Sequence, residues 1–280
     1  MRHIALCGAS RHELTHAASW SCGSLCSAQV LRRDSLCYFH PDYPYQFLLV
    51  SARGLTYDVI RQSALEVGMD DVGVVPAQRW DNDAVFMDEW VAQGLHGNMS
   101  YFERNQAKRY DIRELVPDAK TVIVALLTYS HSGHDYHRTL KSKLYELQQK
   151  IVDVWQPLSE SDEKIVSTDH QHIFCDSAPV LERRMAVAAG LGFIGKNHQL
   201  IHPQLGSRIH IGELVLQVDV ENTKPALSFG TGCEGCNRCI EACPGQALGR
   251  AVWDARRCVA YITHKCEICQ QVCPYNEKLK

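Results

Sequence analysis

The sequence predicts an α+β protein: an α/β layered domain over residues 55–222, followed by a small cysteine-rich domain over residues 223–280. Apolar patterns of helical and of strand type are mixed between 55 and 222, as in layered folds. Eight of the 13 cysteines lie between 233 and 273. Residues 1–54 carry four cysteines and no sustained period. They are therefore predicted to form a poorly ordered N-terminal extension.

In the layered domain, each element follows from its apolar spacing. Apolar residues recur on one helical face over 59–67, and Gly68 ends that helix. A short strand is predicted over 72–76 because this run is apolar and stops at a proline. Apolar positions over 85–91 indicate a second helix, which ends near Gly94.

The next four elements extend the same alternation of helices and strands. The uninterrupted apolar run 121–129 predicts a strand buried on both faces. Helical spacing predicts a long helix over 140–154. Residues 178–189 are predicted to be helical with Pro179 in the first turn, and alternation over 209–220 predicts a strand.

The composition excludes several classes of protein. Apolar residues make up 45% of the chain and charged residues 22%, which is typical of folded globular domains. The net charge of −3 provides no global positive field for nucleic acid. No stretch approaches the roughly 18 apolar residues that a membrane span needs. The first thirty residues lack a continuous apolar segment, so no secretory signal is expected.

The cysteine spacing predicts two [4Fe–4S] clusters. The string C-x2-C-x2-C-x3-C-P begins at Cys233 and is typical of bacterial ferredoxins, in which the fourth cysteine serves the other cluster. A second C-x2-C-x3-C-P string begins at Cys266. With that crossover, the ligands of one cluster are Cys233, Cys236, Cys239 and Cys273, and those of the other are Cys243, Cys258, Cys266 and Cys269.

Zinc held by C-x2-C pairs is the alternative, which is disfavoured because zinc ribbons rarely carry two C-x3-C-P endings. Two adjacent clusters indicate electron transfer, since a second redox centre adds nothing to a structural staple. Residues 223–280 are therefore predicted to be ferredoxin-like. The site that receives the electrons is expected within 55–222.

Two features of the layered domain are candidates for that site. Asp176, in the string D-S-A-P, either caps the following helix or acts as an acid in a partly apolar cleft. Residues 190–196 contain G-x-G-x-x-G, but a dinucleotide-binding fold needs a strand before the glycines and a helix after them. These glycines are instead predicted to allow close approach to a large planar ligand or a packed neighbour.

Several strings in combination resemble the epoxyqueuosine reductase family, over a region from about Leu55 to Asn276. The matching strings are residues 97–104, 111–120, 176–183, 190–196, 212–214, 254–261 and 269–276. That family, like the reductive dehalogenases, joins a cobalamin-binding domain to a two-cluster ferredoxin-like module. The resemblance implies a cytoplasmic enzyme that reduces epoxyqueuosine to queuosine in the anticodon stem-loop of tRNA, the last step of queuosine biosynthesis.

The resemblance also implies roles for particular residues. Asp176 is expected to protonate the epoxide oxygen while the clusters pass single electrons to cobalt. A second electron and proton, with loss of water, then give the alkene. Arg104 is an expected cobalamin contact. Further expected cobalamin contacts are Lys196, Asn197, Leu200, Gly206 and Ser207.

The sequence departs from the family in its loops. Only residues 130–134 stand where the family has a longer loop, and seven residues separate Cys258 from Cys266. The helical-repeat tail of longer members is expected to be absent after Lys280. These departures are expected to affect cofactor closure or tRNA contact more than the fold. Two alternatives stay open: an electron carrier that has lost its corrinoid site, and a reductase that acts on a small molecule.

Overall fold

The computed structural model describes residues 35–38, 48–51, 55–128, 135–155, 172–221, 232–249, 252–263 and 265–277. The chain divides into two units, Met1–Gly54 and Leu55–Lys280. In the first unit, β1 (Ser35–Tyr38) pairs antiparallel with β2 (Leu48–Ser51). Most of the predicted extension lies outside the described residues, so its poor order stays a prediction.

The second unit mixes short and long elements. Its strands are β3 (Leu55–Thr56), β4 (Asp71–Pro76), β5 (Thr121–Thr128), β6 (Ile173–Phe174), β7 (Phe193–Ile194), β8 (Leu200–Ile201), β9 (Ile209–Leu216) and β10 (Val220–Glu221). Its α-helices are α1 (Tyr57–Glu66), α2 (Asp81–Ala92), α3 (Gln106–Tyr110), α4 (Tyr136–Val154), α5 (Glu182–Ala188), α6 (Arg238–Glu241), α7 (Val259–Thr263), α8 (Ile268–Gln271) and α9 (Pro274–Glu277).

A four-stranded sheet forms the centre of this unit, in the order β4-β5-β9-β6 with every neighbouring pair antiparallel. The apolar run predicted to be a buried strand is β5, in which the residues from Thr121 to Leu126 are all buried. Because side chains alternate along a strand, Ile123 and Ala125 enter one hydrophobic core. Val122 and Val124 enter the core on the opposite face.

Helices cover both faces of the sheet. Leu140, Leu144 and Leu147 of α4 are fully buried against one face, together with Ile60 of α1. Each such side chain contributes about 1.5–3 kcal/mol by leaving water. The opposite face is covered by α5, through Met185. The mixed, layered fold class predicted from the sequence is therefore confirmed.

Gly212 of β9 explains how closely α4 approaches the sheet. A Cβ atom at this position would lie 2.7 Å from Leu144 Cδ1 and 3.1 Å from Leu140 Cγ. Only glycine leaves room for the helix here.

Two element boundaries were predicted wrongly. The helix expected over 178–189 begins only at Glu182, with Leu181 at its N-cap position. Asp176 is six residues from that start and makes no capping bond, so the helix-cap interpretation is wrong. The strand expected over 209–220 ends at Leu216. The chain then leaves the central sheet, and β10 pairs in parallel with β3.

The cysteine-rich segment, residues 232–277, is anchored to the layered part through apolar contacts. Trp90 of α2 stacks on Trp253 with ring centroids 5.9 Å apart, and its Nε1 donates a 2.6 Å hydrogen bond to the Trp253 carbonyl. Phe193 and Ile201 pack with the buried Cys273 in a second contact. Within the described ranges, no helix has both the length and the apolar character needed to cross a membrane.

Candidate active site and cluster sites

Asp176 lies in the turn that follows the edge strand β6. Its backbone is left-handed, with φ of +48°, a conformation that aspartate tolerates better than most residues and that occurs often at functional sites. The side chain is exposed, and its Oδ2 accepts a 2.6 Å hydrogen bond from the hydroxyl of Tyr136. The first residue of α4 therefore fixes the orientation of the Asp176 carboxyl group.

Tyr136 is itself held by aromatic stacking. Its ring lies 3.8 Å from the ring of His210 on β9, with only 6° between the planes, and 4.0 Å from the ring of His137. Burial lowers the pKa of His210, which favours the neutral imidazole. The phenol hydroxyl is thus positioned by rigid rings.

Glu182, at the start of α5, contacts Asp176 directly. Its Oε1 accepts a 3.0 Å hydrogen bond from the backbone N–H of Asp176. Burial, and then the charge of Asp176, raise the pKa of Glu182 to about 8. Glu182 is therefore mostly protonated at neutral pH, next to an exposed carboxyl group.

A third carboxyl group lies behind these two. Glu213 is 0% exposed in the middle of β9, where its backbone pairs with Val124 on one side and Phe174 on the other. Neither of its carboxyl oxygens has a hydrogen-bond partner. Burial raises the pKa of Glu213 well above its ordinary value, and the charges of Glu182 and Asp176 raise it further. The buried group is therefore held in its neutral form.

The four cysteines predicted to hold one cluster line a single cavity of about 210 Å³. They are Cys233, Cys236, Cys239 and Cys273. Lys196 and Asn197 of the glycine-rich run line the same cavity. The fold thus brings the first three cysteines and the last one together across the cysteine-rich segment.

The second predicted set gathers around Cys269. Burial, and then the neighbouring Cys258, Cys266, Cys239 and Cys243, raise the pKa of the Cys269 thiol to about 11. All nine cysteines in the described part of Leu55–Lys280 are free thiols. Among the described residues, no group of three or more His, Cys, Asp or Glu side chains is arranged to hold a single metal ion.

Two of the predicted cobalamin contacts lie beside the cysteines. Lys196 Nζ donates hydrogen bonds to the Cys236 carbonyl at 2.8 Å and to Asn237 Oδ1 at 2.9 Å. Asn197 is buried, and its Nδ2 has no hydrogen-bond partner. Its Oδ1 accepts from the backbone N–H of Gln199 at 3.2 Å.

The other predicted cobalamin contacts lie in different environments. Leu200 is buried in the core beneath α5. Gly206 has a φ of +70° and closes a tight turn with His202. Ser207 is buried, and its backbone N–H donates a 2.7 Å hydrogen bond to Asn276. Arg104 is exposed in the turn before α3. Lys196 and Asn197 thus line the cysteine cavity, whereas Leu200 and Ser207 are engaged within the protein.

Three residues of the site, Tyr136, Glu182 and Glu213, were not predicted from the sequence. Both glutamates lie in strings that carry the family resemblance, but nothing in the local sequence distinguishes them from surface residues. A charged residue between apolar neighbours in the predicted strand 209–220 was the one available signal for Glu213. Tyr136 is 40 residues from Asp176 along the chain, and local sequence holds no information on such a contact.

Comparisons with known proteins identify the class of enzyme. No protein-family model matches the chain. The epoxyqueuosine reductase of Cellulophaga algicola is 32% identical over 254 residues, covering 78% of each chain. The Synechocystis sp. epoxyqueuosine reductase is 31% identical over 247 residues, covering 74% of this chain and 80% of the relative.

Solved structures agree with the sequence relatives. Epoxyqueuosine reductase from Streptococcus thermophilus matches with a TM-score of 0.67 and 26% identity, covering 78% of this chain. A reductase crystallised with an epoxyqueuosine-modified tyrosine tRNA stem loop has the same fold, with a TM-score of 0.64 and 22% identity. The chain spans 65% of the length of each solved protein. These relatives are oxidoreductases. The chain belongs to the epoxyqueuosine reductase family.

Proposed function

We propose that this chain reduces epoxyqueuosine to queuosine in tRNA, with Asp176 as the proton donor and with cobalamin supplied with electrons by two [4Fe–4S] clusters. The observation that carries the proposal is the exposed Asp176 carboxyl group, oriented by Tyr136 and in contact with a protonated Glu182. Epoxide reduction needs an acid at the ring oxygen, because an alkoxide is a poor leaving group at neutral pH. The names of the curated relatives support the substrate.

The cysteine-rich segment fits iron–sulfur clusters. Four cysteines line one cavity, and the remaining four predicted ligands lie near one another around Cys269. Thiolate sulfur is the ligand that such clusters require. The buried Asn197 Nδ2, which lacks a protein partner, could donate to a cluster sulfur from the wall of the cavity.

A large planar cofactor is proposed to bind beside Asp176. Two large apolar side chains of the chain are open to a ligand, since Tyr101 is 51% exposed and Ile194 of β7 is 40% exposed. The charge of Asp176 acts on Tyr101. Arg183, in the first turn of α5, donates a 3.0 Å hydrogen bond to the His198 carbonyl in the turn after Ile194. When bound, the clusters relay single electrons and the cobalamin delivers them to the substrate.

The residues of the chain have distinct roles in this proposal. Asp176 donates its proton to the epoxide oxygen as the carbon–oxygen bond breaks. Tyr136 holds Oδ2 of that carboxyl group in place, so that the other oxygen faces the substrate. The stacked His210 keeps the phenol ring from turning away.

Anaerobic protein with reconstituted clusters and added cobalamin should convert an epoxyqueuosine-bearing tRNA stem-loop to queuosine. Replacing a general acid usually costs about 10²–10⁴ in rate, so Asp176→Asn should lower product formation by that factor while cluster and cobalamin contents stay unchanged. Asp153→Asn, at an exposed position on α4, is the matched control. Bound clusters without bound cobalamin would instead favour a simple electron carrier, and an intact holoenzyme inactive on the stem-loop would favour another substrate.

A further inference from the structure

The fully buried Glu213 presents a problem that packing does not explain. A carboxyl group without hydrogen bonds in a protein interior is destabilising, and this one is 0% exposed with both oxygens unpartnered. Its neighbours on β9, Leu214 and Val215, are ordinary core residues. An aliphatic side chain would fill the position at lower cost. The carboxyl group therefore calls for a functional explanation.

Glu213 lies directly behind the Asp176 loop. Its backbone pairs with Phe174, two residues before Asp176. The charges of Glu182 and Asp176 both act on it, and all three carboxyl groups act on the thiol of Cys175. Asp176 and Glu182 are in direct contact, since the backbone N–H of Asp176 donates a 3.0 Å hydrogen bond to Glu182 Oε1. The three carboxyl groups thus form a series from the exposed Asp176 through the half-buried Glu182 to the enclosed Glu213.

The stoichiometry of the proposed reaction requires more than one proton. Converting an epoxide to an alkene and water consumes two electrons and two protons. The first proton assists opening of the ring, and the second leaves with the oxygen as water. Asp176 carries only one proton at a time and must be reprotonated before the second carbon–oxygen bond breaks.

We infer that Glu182, backed by Glu213, stores the second proton and passes it to Asp176 within one turnover. In this step the O–H bond of Glu182 breaks and a new O–H bond forms on the Asp176 carboxylate. Glu213 makes no hydrogen bond in the structure, so its proton reaches Glu182 only after the Glu182 carboxylate has turned towards it; the O–H bond of Glu213 then breaks as a new one forms on Glu182. The inference rests on the proposed function. Glu182 and Glu213 act through Asp176 and are positioning residues.

Several other charged or titratable groups face this series. From α4 they are Tyr136, His137 and Lys141; from β9, His210; from the loop and α5, Cys175 and Arg183; and from the turn before α3, Tyr101. Of these, His210 is neutral near pH 7 through burial, and burial raises the pKa of the Cys175 thiol to about 12. Neither of these two groups supplies a proton at neutral pH.

The test compares Glu182→Gln and Glu213→Gln with the wild-type holoenzyme under single-turnover conditions between pH 6 and about 9. The wild-type rate should fall above pH 8, where Glu182 loses its proton. Glu182→Gln should react about 10–100-fold more slowly at pH 7, and its rate should no longer decrease above pH 8. A small buffer acid such as imidazolium should partly restore its rate. Glu213→Gln should show the same changes to a smaller extent.

Glutamine preserves the shape and the neutral state of each side chain, so a purely structural role would leave both the rate and the pH profile unchanged. KM for the stem-loop should not move in either variant. Exposed Glu114→Gln is the matched control. Infrared difference spectra of the wild-type protein should show protonated carboxyl groups at pH 7, with one signal missing in each variant.

The outcomes separate the two proposals. The proton store would be overturned, and the reductase function left standing, by either of two results. One is an active wild type whose pH profile is unchanged in both variants. The other is the absence of a protonated carboxyl signal in the infrared spectra of the wild type. A fully loaded wild-type holoenzyme that makes no queuosine would overturn the reductase function and the proton store together.

Discussion

The hydroxyl of Tyr136 donates a 2.6 Å hydrogen bond to Oδ2 of Asp176, across 40 residues of sequence. The bond joins the first turn of α4 to the loop after the edge strand β6. The orientation of the Asp176 carboxyl group therefore depends on the packing of α4 against the sheet.

Tyr136→Phe should therefore lower kcat about 10–150-fold, since a hydrogen bond to a charged group contributes about 1.5–3 kcal/mol. The ring remains, so stacking on His210 and the folded structure should persist. Tyr57→Phe removes a buried 3.1 Å hydrogen bond to the Val72 carbonyl, far from Asp176 in the chain. It should lower Tm and leave kcat unaltered. Equal kcat values for Tyr136→Phe and the wild type would show that Asp176 needs no such orientation.

The pH dependence of stability should reveal the buried carboxyl group. The pKa of Glu213 is raised in the folded protein, so the native state binds more protons than the unfolded state above the ordinary carboxyl pKa. Stability therefore falls as pH rises through the folded pKa. Glu213→Gln removes this contribution, and its Tm relative to wild type should rise steadily from pH 5 to about 9. A constant Tm difference in calorimetry across that range would contradict a raised pKa.

Lys196 should tune the cluster that we propose is held by Cys233, Cys236, Cys239 and Cys273. Its ammonium group bonds the Cys236 carbonyl and Asn237. Removing a positive charge beside a cluster makes reduction less favourable, so Lys196→Met should shift one reduction potential to a more negative value in an EPR-monitored titration. Lys120→Met, whose side chain is 53% exposed beside Asp219, should leave both potentials in place. If Lys196→Met leaves both reduction potentials unaltered, Lys196 does not influence the cluster.

Asn276 should hold the cysteine-rich segment against the layered part. It accepts from the Ser207 N–H at 2.7 Å and donates to Ser207 Oγ at 2.9 Å and the Gln270 carbonyl at 2.7 Å. Asn276→Ala leaves buried polar groups unpaired, at a cost of about 1–3 kcal/mol for each. A clear fall in Tm and loss of iron on gel filtration are expected. An unchanged Tm and a full iron content would mean that the apolar contacts alone hold the cysteine-rich segment in place.

Gly73 tests the packing of α5 on the sheet. A Cβ at this position would lie 2.5 Å from the Ala189 carbonyl oxygen, which is backbone and cannot move aside. Gly73→Ala should therefore destabilise the protein by about 1–3 kcal/mol in urea unfolding. Val85→Ala, at a 60% exposed position, should change stability by less than about 0.5 kcal/mol. A neutral Gly73→Ala would show that α5 can shift outward.

Local spacing along the chain was enough to predict several elements and the cysteine chemistry. The continuous apolar run became β5, and the helical stripe over 140–154 became the buried face of α4, because burial periodicity is recorded in neighbouring residues. Cysteine spacing defined two candidate cluster sites for the same reason. The start of α5 was misjudged, since Pro179 is compatible with the first turn of a helix and equally with the loop that carries Asp176.

The environment of Asp176 follows only from the tertiary structure. Tyr136 and Glu213 come from different elements and meet the Asp176 loop only because α4 packs on the sheet and β9 pairs with β6. The protonation states of Glu182 and Glu213 depend on burial and on each other's charge. Both are properties of three-dimensional proximity, which the order of residues along the chain does not record.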